Sequence, residues 1–107
     1  MSKMSTDAAT KTRVKIAPKT DLAPPPKFQV IFFNDNVTTV EFVMHVLTEI
    51  FEHDEDNAMT LTAKIHEQGQ AEVAVFPFEI AESKAVETTL LARTNSFPLN
   101  VKIEPVS

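Results

Sequence analysis

The sequence predicts an α+β sandwich with the element order β-α-α-β-α-β, in which helices pack on one face of a three-stranded sheet. Three observations lead to this prediction. Some short stretches are rich in aromatic and β-branched residues or alternate apolar with polar ones, longer stretches repeat apolar residues at helical intervals, and turn-forming residues separate them. With 107 residues and 43% hydrophobic side chains, the chain is long enough for one small domain with its own core.

The first strand and the first helix are predicted from neighbouring stretches. Residues 28–33 read Phe-Gln-Val-Ile-Phe-Phe, which favours a strand, and residues 34–36 (Asn-Asp-Asn) favour a turn. Thr38 followed by Glu41 has the spacing of a capping box. The next apolar residues predict an amphipathic helix over about 39–52: Val40, Val43, Met44, Leu47, Ile50 and Phe51.

A second helix is predicted to begin at Asp54, because acidic residues fill its first turn, and to end at Gly69. Its apolar face consists of Ala58, Leu61, Thr62 and Ile65. His66 therefore lies near the C-terminus of this helix. Residues 71–76 predict the second strand, and Pro77 confines the next segment to a sheet edge or a helix start.

A third helix is predicted from about Phe78 to Arg93. Its expected buried positions include Ile80, Ala81, Leu90 and Leu91. Asn95 and Pro98 end this helix, and residues 99–103 alternate apolar with polar side chains as a last strand.

The N-terminal residues differ in composition from the rest. Residues 1–26 hold few large apolar side chains and end in Pro24-Pro25-Pro26, which predicts a disordered tail with a stiff spacer at its end. They carry five basic and two acidic side chains, or +3. The folded domain is expected to span 27–107, with five basic and thirteen acidic side chains, or −8.

Composition excludes several classes of function. An acidic domain repels phosphate backbones, so nucleic acid is not an expected partner. The chain has no Cys, which rules out disulfides and thiolate metal sites and favours the cytoplasm. No apolar run approaches the length needed to span a membrane. A Gly-rich phosphate loop and a Gly-x-Ser-x-Gly elbow are both missing, so we expect no enzyme, no metal and no cofactor.

Three polar residues on two separate segments indicate recognition of an amine. A protonated primary amine carries three donors and a positive charge, so its capture needs a carboxylate and further acceptors. Asn34 and Asp35 on one segment and a neutral His66 on another would supply them. Short or apolar side chains nearby could form a pocket for an apolar group attached to the amine: Thr38, Val40, Val43 and Ile65.

The chain resembles the ClpS adaptors of bacterial N-degron proteolysis over about residues 24–104. Each matching segment is weak alone, but their order and spacing together are specific. The matching residues include Pro24 to Pro26, Val30-Ile31, Asn34-Asp35, Thr38, Glu41-Phe42-Val43, Val46-Leu47, His66, Gly69, Ala71, Phe76, Glu79, Ala81-Glu82, Lys84, Ala92-Arg93 and Pro98-Leu99.

The resemblance implies a non-enzymatic adaptor that binds the first residue of a substrate protein. Positions matching Asn34, Asp35 and His66 would hold the free α-amino group. The first side chain, typically Phe, Tyr, Trp or Leu, would enter an apolar pocket formed by Thr38, Val40, Val43, Thr62, Ile65 and Leu99. The adaptor would then deliver the substrate to a ClpA- or ClpC-type AAA+ unfoldase coupled to ClpP.

The resemblance also implies that a surface patch matching Glu79 and Lys84 docks on the unfoldase, and that the N-terminal tail takes part in handover. Three positions depart from the usual family pattern: Asn36 replaces an Asp, and Val40 and Thr62 each replace a Met. The Thr62 hydroxyl either bonds within its own helix or makes the pocket more favourable to Tyr or Trp. The alternative function is a protein-interaction module of the same fold without a ligand pocket.

Overall fold

The protein is described by a computed structural model covering residues 24–106. Its elements are β1 (Lys27–Phe33), α1 (Val40–Glu49), α2 (Glu55–Gln68), β2 (Gln70–Pro77), α3 (Phe78–Thr94) and β3 (Asn100–Pro105). This confirms the predicted order and the α+β class. Most of the predicted N-terminal tail, residues 1–23, lies outside the described range.

The three strands form one antiparallel sheet in the order β2-β1-β3. The central strand β1 places Val30 opposite Ala74 of β2 and opposite Ile103 of β3, with a bulge between Val30 and Ile31 on the β2 side. Val30 and Phe32 are fully buried. Their burial agrees with the aromatic and β-branched character that predicted this strand.

All three helices contribute to the core that these strands face. Helix α1 buries Val46 and Leu47 completely, and α2 buries Ala58. Helix α3 contributes small side chains, Ala81 and Ala92, both with 0% exposure. Small side chains allow a helix backbone to approach its neighbours closely, so α3 packs through its least bulky positions.

The burial predicted for α3 is partly wrong. Ala81 is buried as expected, but Ile80 is 46% exposed and Leu90 is 63% exposed. The buried positions of α3 are Ala81, Thr88 and Ala92, and Leu91 is partly buried against the core, so Ile80 and Leu90 lie outside the contact face. Their exposure leaves an apolar surface on this helix.

The predicted start of α1 is also wrong by one residue. Thr39, not Thr38, is the N-cap, and its hydroxyl accepts a hydrogen bond from Phe42 N at 3.1 Å. The Thr38 hydroxyl instead donates to Asp35 at 2.7 Å. Either threonine could cap the helix. Because the Thr38 hydroxyl bonds to the Asp35 carboxylate, Thr39 takes the capping position.

Helix α2 has the predicted ends. The Asp54 side chain accepts a hydrogen bond from Asn57 N at 2.7 Å, which caps the first turn. Gly69 ends the helix with φ of 85°, a conformation that favours glycine. No helix within residues 24–106 is long and apolar enough to cross a membrane.

Candidate functional site

The end of β1 and the end of α2 meet at the candidate site. Phe33 pairs with Gln70 in the sheet, and Asn34 N donates to the Gly69 carbonyl at 2.9 Å. His66 precedes Gly69 by three residues in the last turn of α2. The backbone contact therefore brings the loop after β1 close to His66, as predicted from the sequence.

A cavity of about 300 Å³ opens between this loop, α1 and α2. Eight of the nine residues expected to bind the amine or its side chain line it, and Asn36 joins them. The lining residues are Asn34, Asp35, Asn36, Thr38, Val40, Val43, Thr62, Ile65 and His66.

Asp35 organises the loop at the mouth of the cavity. Its Oδ1 accepts hydrogen bonds from Val37 N at 2.8 Å and Thr38 N at 2.6 Å, and its Oδ2 accepts from the Thr38 hydroxyl at 2.7 Å. Burial alone would raise the pKa of Asp35, but these three hydrogen bonds and the positive charge of Arg93 outweigh it and lower the pKa. The carboxylate is therefore charged at neutral pH.

Thr38 has a polar role beyond the pocket wall predicted for it. Its hydroxyl hydrogen is committed to Asp35. A hydroxyl that donates its hydrogen keeps two acceptor lone pairs, so the Thr38 oxygen is available to a donor in the cavity. In the sequence, the spacing Asp-x-x-Thr is typical of a side chain that caps a turn, and it indicates this contact between Asp35 and Thr38.

The Asn34 and His66 side chains are exposed at the cavity mouth. Neither forms a hydrogen bond with another residue in the range 24–106. The Asn34 amide oxygen and one nitrogen of a neutral imidazole are acceptors. Together with the Asp35 charge, they can surround a small cation bearing several N–H groups.

The cavity walls are largely apolar. Val43 is 7% exposed and Ile65 is 4% exposed, whereas Val40 is 58% exposed. The Thr62 hydroxyl donates to Ala58 O at 2.7 Å within α2, which resolves the two alternatives for this residue in favour of the local bond. The polar atom of Thr62 is thereby satisfied without a ligand.

Leu99 is the one expected pocket residue that does not line the cavity. It lies between α3 and β3, is 1% exposed and belongs to the hydrophobic core. Its carbonyl accepts a hydrogen bond from Arg93 Nη1 at 3.0 Å. Leu99 therefore contributes to the core of the fold.

A family comparison identifies the chain. Residues 23–102 match the family of the ATP-dependent Clp protease adaptor protein ClpS. The chain belongs to the ClpS family. Its members are adaptors of the Clp protease, which confirms the expectation of a protein that is not itself an enzyme.

Curated ClpS relatives cover most of the folded region. The ClpS adapter of Treponema denticola is 39% identical over 82 residues, which are 77% of this chain and 81% of that protein. The Shewanella loihica ClpS adapter is 40% identical over 86 residues, or 80% of this chain and 84% of that protein.

A solved structure shares the fold. Agrobacterium tumefaciens ClpS2 bound to L-phenylalaninamide superimposes with a TM-score of 0.74 at 37% sequence identity. The match covers 78% of this chain and 100% of that chain.

The two residues expected to dock on an unfoldase differ in their surroundings. Glu79 is exposed in the first turn of α3. Lys84 is partly buried, and its Nζ donates to the Ile50 carbonyl at 2.7 Å. The same Nζ lies 5.6 Å from the centre of the Phe76 ring and 6.0 Å from that of Phe51. Lys84 therefore has a structural contact in addition to any partner.

The charged groups of residues 24–106 show no arrangement suited to a metal ion. Between residues 24 and 106, no cluster of three or more His, Asp or Glu side chains could hold one. Asp54, Glu55 and Asp56 stand at the start of α2, where their negative charge stabilises the helix N-terminus.

Proposed function

We propose that this ClpS-family adaptor binds the N-terminal residue of substrate proteins in the cavity between α1, α2 and the loop after β1. Asn34, Asp35 and His66 hold the free α-amino group, and a first side chain such as Phe, Tyr, Trp or Leu enters between the apolar walls. The adaptor then transfers the substrate to a ClpA- or ClpC-type unfoldase coupled to ClpP, in the cytoplasm.

The observation that carries this proposal is one small cavity with anionic and acceptor groups at its mouth and apolar walls behind them. A volume of about 300 Å³ is at the lower end for ligand pockets. It suits a single side chain with its amine better than a larger cofactor. The ionised Asp35 and the acceptor atom of Thr38 favour a cation that donates several hydrogen bonds.

The ligand of the Agrobacterium relative supports the same assignment. L-phenylalaninamide combines a free α-amino group, an aromatic side chain and a carboxamide in place of the carboxylate. It therefore has the chemistry of the first residue of a polypeptide. This chain has the same fold and groups that suit each part of such a ligand.

Tight binding requires the free energy contributed by both the amine and the first side chain. Burying a large apolar side chain contributes roughly 1.5–3 kcal/mol. A hydrogen bond to a charged group contributes about 1.5–3 kcal/mol. Micromolar affinity needs about 8 kcal/mol beyond the cost of association, so neither an internal Phe nor a bare amine reaches it alone. An N-terminal residue supplies both terms at one point of the substrate.

For unfoldase docking we propose the surface around Glu79, with Lys84 contributing at its edge. Glu79 is exposed and free to meet a partner. Lys84 retains other ammonium hydrogens after donating one to Ile50, so a second bond to a partner is chemically available.

Peptide binding to site variants tests this function. A peptide that begins with Phe and carries a dye at its C-terminal end is titrated with wild type, His66→Ala and, as a matched control, Glu67→Ala. Glu67 is exposed beside His66 but does not line the cavity. We expect His66→Ala to weaken binding about tenfold or more, because one bond to a charged amine is lost, and Glu67→Ala to have little effect.

Equal affinity of wild type, His66→Ala and Glu67→Ala for the peptide would show that the amine binds away from His66. Absence of binding in wild type would favour the interaction module without a ligand pocket.

A further inference from the structure

A second concave surface lies between α3 and β3 and takes no part in the proposed function. It is a shallow groove of about 250 Å³ whose apolar lining includes Val86 and Leu90 of α3 and Val101 and Ile103 of β3. Val86 is 51% exposed and Leu90 is 63% exposed. Two large apolar side chains one helical turn apart thus face solvent beside a strand.

Within residues 24–106, the strand beside this groove has no neighbour on its outer edge. In the sheet formed by residues 24–106, β3 is an outer strand. Val106 N donates to Lys27 O at 2.9 Å. This bond establishes which backbone groups of β3 face β1. Because backbone groups in an antiparallel pair face the partner at alternate residues, those of Val101 and Ile103 point away from β1. Pro105 has no N–H, so the edge available for pairing is short.

This combination predicts the character of an occupant. An added strand would bond to the free backbone groups of Val101 and Ile103. Its side chains would alternate, one set lying against Val86 and Leu90 and the other on the opposite face of the sheet. The occupant is therefore a short segment that alternates apolar or β-branched residues with polar ones.

The chain contains one such segment before its described region. Residues 11–16 read Lys-Thr-Arg-Val-Lys-Ile, in which basic side chains alternate with β-branched ones, and Pro18 comes soon after. Ten residues, 17–26, connect this segment to Lys27. They span up to roughly 33 Å when extended. A strand added at the free edge of β3 would lie two strand spacings from β1, or about 10 Å, so the connection is long enough.

Charge favours this segment over a second copy of the domain. Residues 1–26 carry +3, whereas residues 27–107 carry −8. Glu104 lies on the face of β3 opposite the groove, where it pairs with Lys102 at 3.1 Å. A basic segment is attracted to such a domain, while a second copy would place two strongly acidic domains together.

We propose that residues 11–16 dock on the free edge of β3 as a fourth strand. Thr12, Val14 and Ile16 fill the groove against Val86 and Leu90, and the basic side chains lie on the opposite face. Docking holds the N-terminal tail against its own domain. A partner that binds the tail must therefore first displace the tail from β3. The proposal is independent of the N-terminal-residue site and can fail separately from it.

Amide hydrogen exchange followed by NMR on the full chain tests this docking. Wild type is compared with Val14→Asp/Ile16→Asp, which places charges on the groove-facing positions. Ala8→Asp/Ala9→Asp changes the net charge equally but lies outside the segment, so it is the matched control. We expect the Val101 and Ile103 amides to be protected in wild type and in the control, and to exchange about tenfold faster or more in Val14→Asp/Ile16→Asp.

A groove variant tests the other side of the contact. Leu90→Glu should also release the Val101 and Ile103 amides, whereas Met59→Glu, at a residue 57% exposed on α2, should not. Fast exchange of both amides in wild type would overturn the proposal. Equal protection in wild type and in Val14→Asp/Ile16→Asp would also overturn it, and protection that rises with protein concentration would identify a second copy as the occupant.

Discussion

Asp35 serves both the local fold and the candidate site. Its oxygens accept hydrogen bonds from two backbone N–H groups and from the Thr38 hydroxyl, so the loop after β1 is closed on this carboxylate. The same contacts lower its pKa and keep its charge at the cavity mouth. A negative charge is therefore present at the cavity mouth without a ligand.

The first prediction concerns stability against pH in Asp35→Asn. Because the pKa of Asp35 is lowered by folding, its contribution is fully present above the unfolded value of about 3.9 and is lost as pH falls through the folded pKa. We expect Asp35→Asn to lower the free energy of unfolding by about 1 kcal/mol at pH 7, since neutral acceptors form weaker bonds. Urea denaturation from pH 7 to pH 3 should show the two proteins converging in acid. A difference that persists unchanged at pH 3 would argue against this role.

The second prediction concerns the acceptor atom that His66 offers to an amine. A neutral imidazole accepts a hydrogen bond from an ammonium through one ring nitrogen. His66→Phe keeps a ring of similar size but removes this acceptor. Peptide affinity should therefore fall about tenfold, measured by fluorescence anisotropy.

His66→Gln provides the control for that experiment. Glutamine retains a carbonyl acceptor in place of the ring nitrogen. We expect His66→Gln to bind the peptide more tightly than His66→Phe. An equal loss of affinity in both variants would exclude a hydrogen bond from the amine to the imidazole.

The third prediction concerns Val40 and the choice of first residue. Val40 is 58% exposed and lines the cavity, and its side chain is shorter than the Met usual in the family. We expect a shorter side chain here to admit first residues that branch at Cβ, such as Ile, more readily. The ratio of affinities for peptides beginning with Leu and Ile should widen severalfold in Val40→Met. An unchanged ratio would show that this position does not control branching.

At the scale of elements, Lys84 links α3 to the end of α1. Helix α1 has no basic residue in its last turn, and the Lys84 ammonium reaches the Ile50 carbonyl at its C-terminus. A cation at this end of a helix is stabilising, and the nearby Phe76 ring adds a favourable contact. Lys84 therefore supports the fold whatever partner it meets.

The fourth prediction concerns the stability that this Lys84 contact provides. Lys84→Met keeps the apolar stem but removes the ammonium, so it should lower the free energy of unfolding by about 1–2 kcal/mol. Glu79→Ala, on the same helix but exposed, should change it by less than about 0.5 kcal/mol. Urea denaturation of the two variants provides the comparison. Equal stability of Lys84→Met and wild type would show that the ammonium bond contributes nothing.

Sequence patterns predicted where an element begins or ends when a single residue determines that position. Asp54 and Gly69 bound α2 as expected, because a capping carboxylate and a left-handed glycine act within a single turn. The start of α1 was missed because two threonines competed, and a carboxylate at Asp35 determined which one caps the helix. Helix-start signals are reliable when no neighbouring side chain forms a hydrogen bond with the capping group.

Contacts that depend on packing could not be predicted from the sequence. The bond between Lys84 and Ile50 joins residues 34 positions apart and leaves no local pattern. The exposure of Ile80 and Leu90 results from α3 packing through small residues, which periodicity alone does not indicate. The residues around the cavity were predicted because the amine chemistry and the family resemblance pointed to the same positions, and Leu99 was the exception since its burial serves the core.

At the scale of the whole molecule, two separate concave surfaces differ in shape and chemistry. The cavity at the junction of β1 and α2 is enclosed by polar and apolar groups suited to one residue. The groove along β3 is open and apolar, beside a free strand edge. A domain with net charge −8 also favours approach by cationic groups, including a protonated amine and its own basic tail.

The central claim is that one site recognises the amine and the first side chain together. The most direct measurement is fluorescence anisotropy of a peptide beginning with Phe, compared with its N-acetylated twin on the same wild-type protein. Acetylation removes the positive charge and leaves the side chain intact, so we expect affinity to fall about a hundredfold or more. Equal binding of the two peptides would contradict recognition of the free α-amino group.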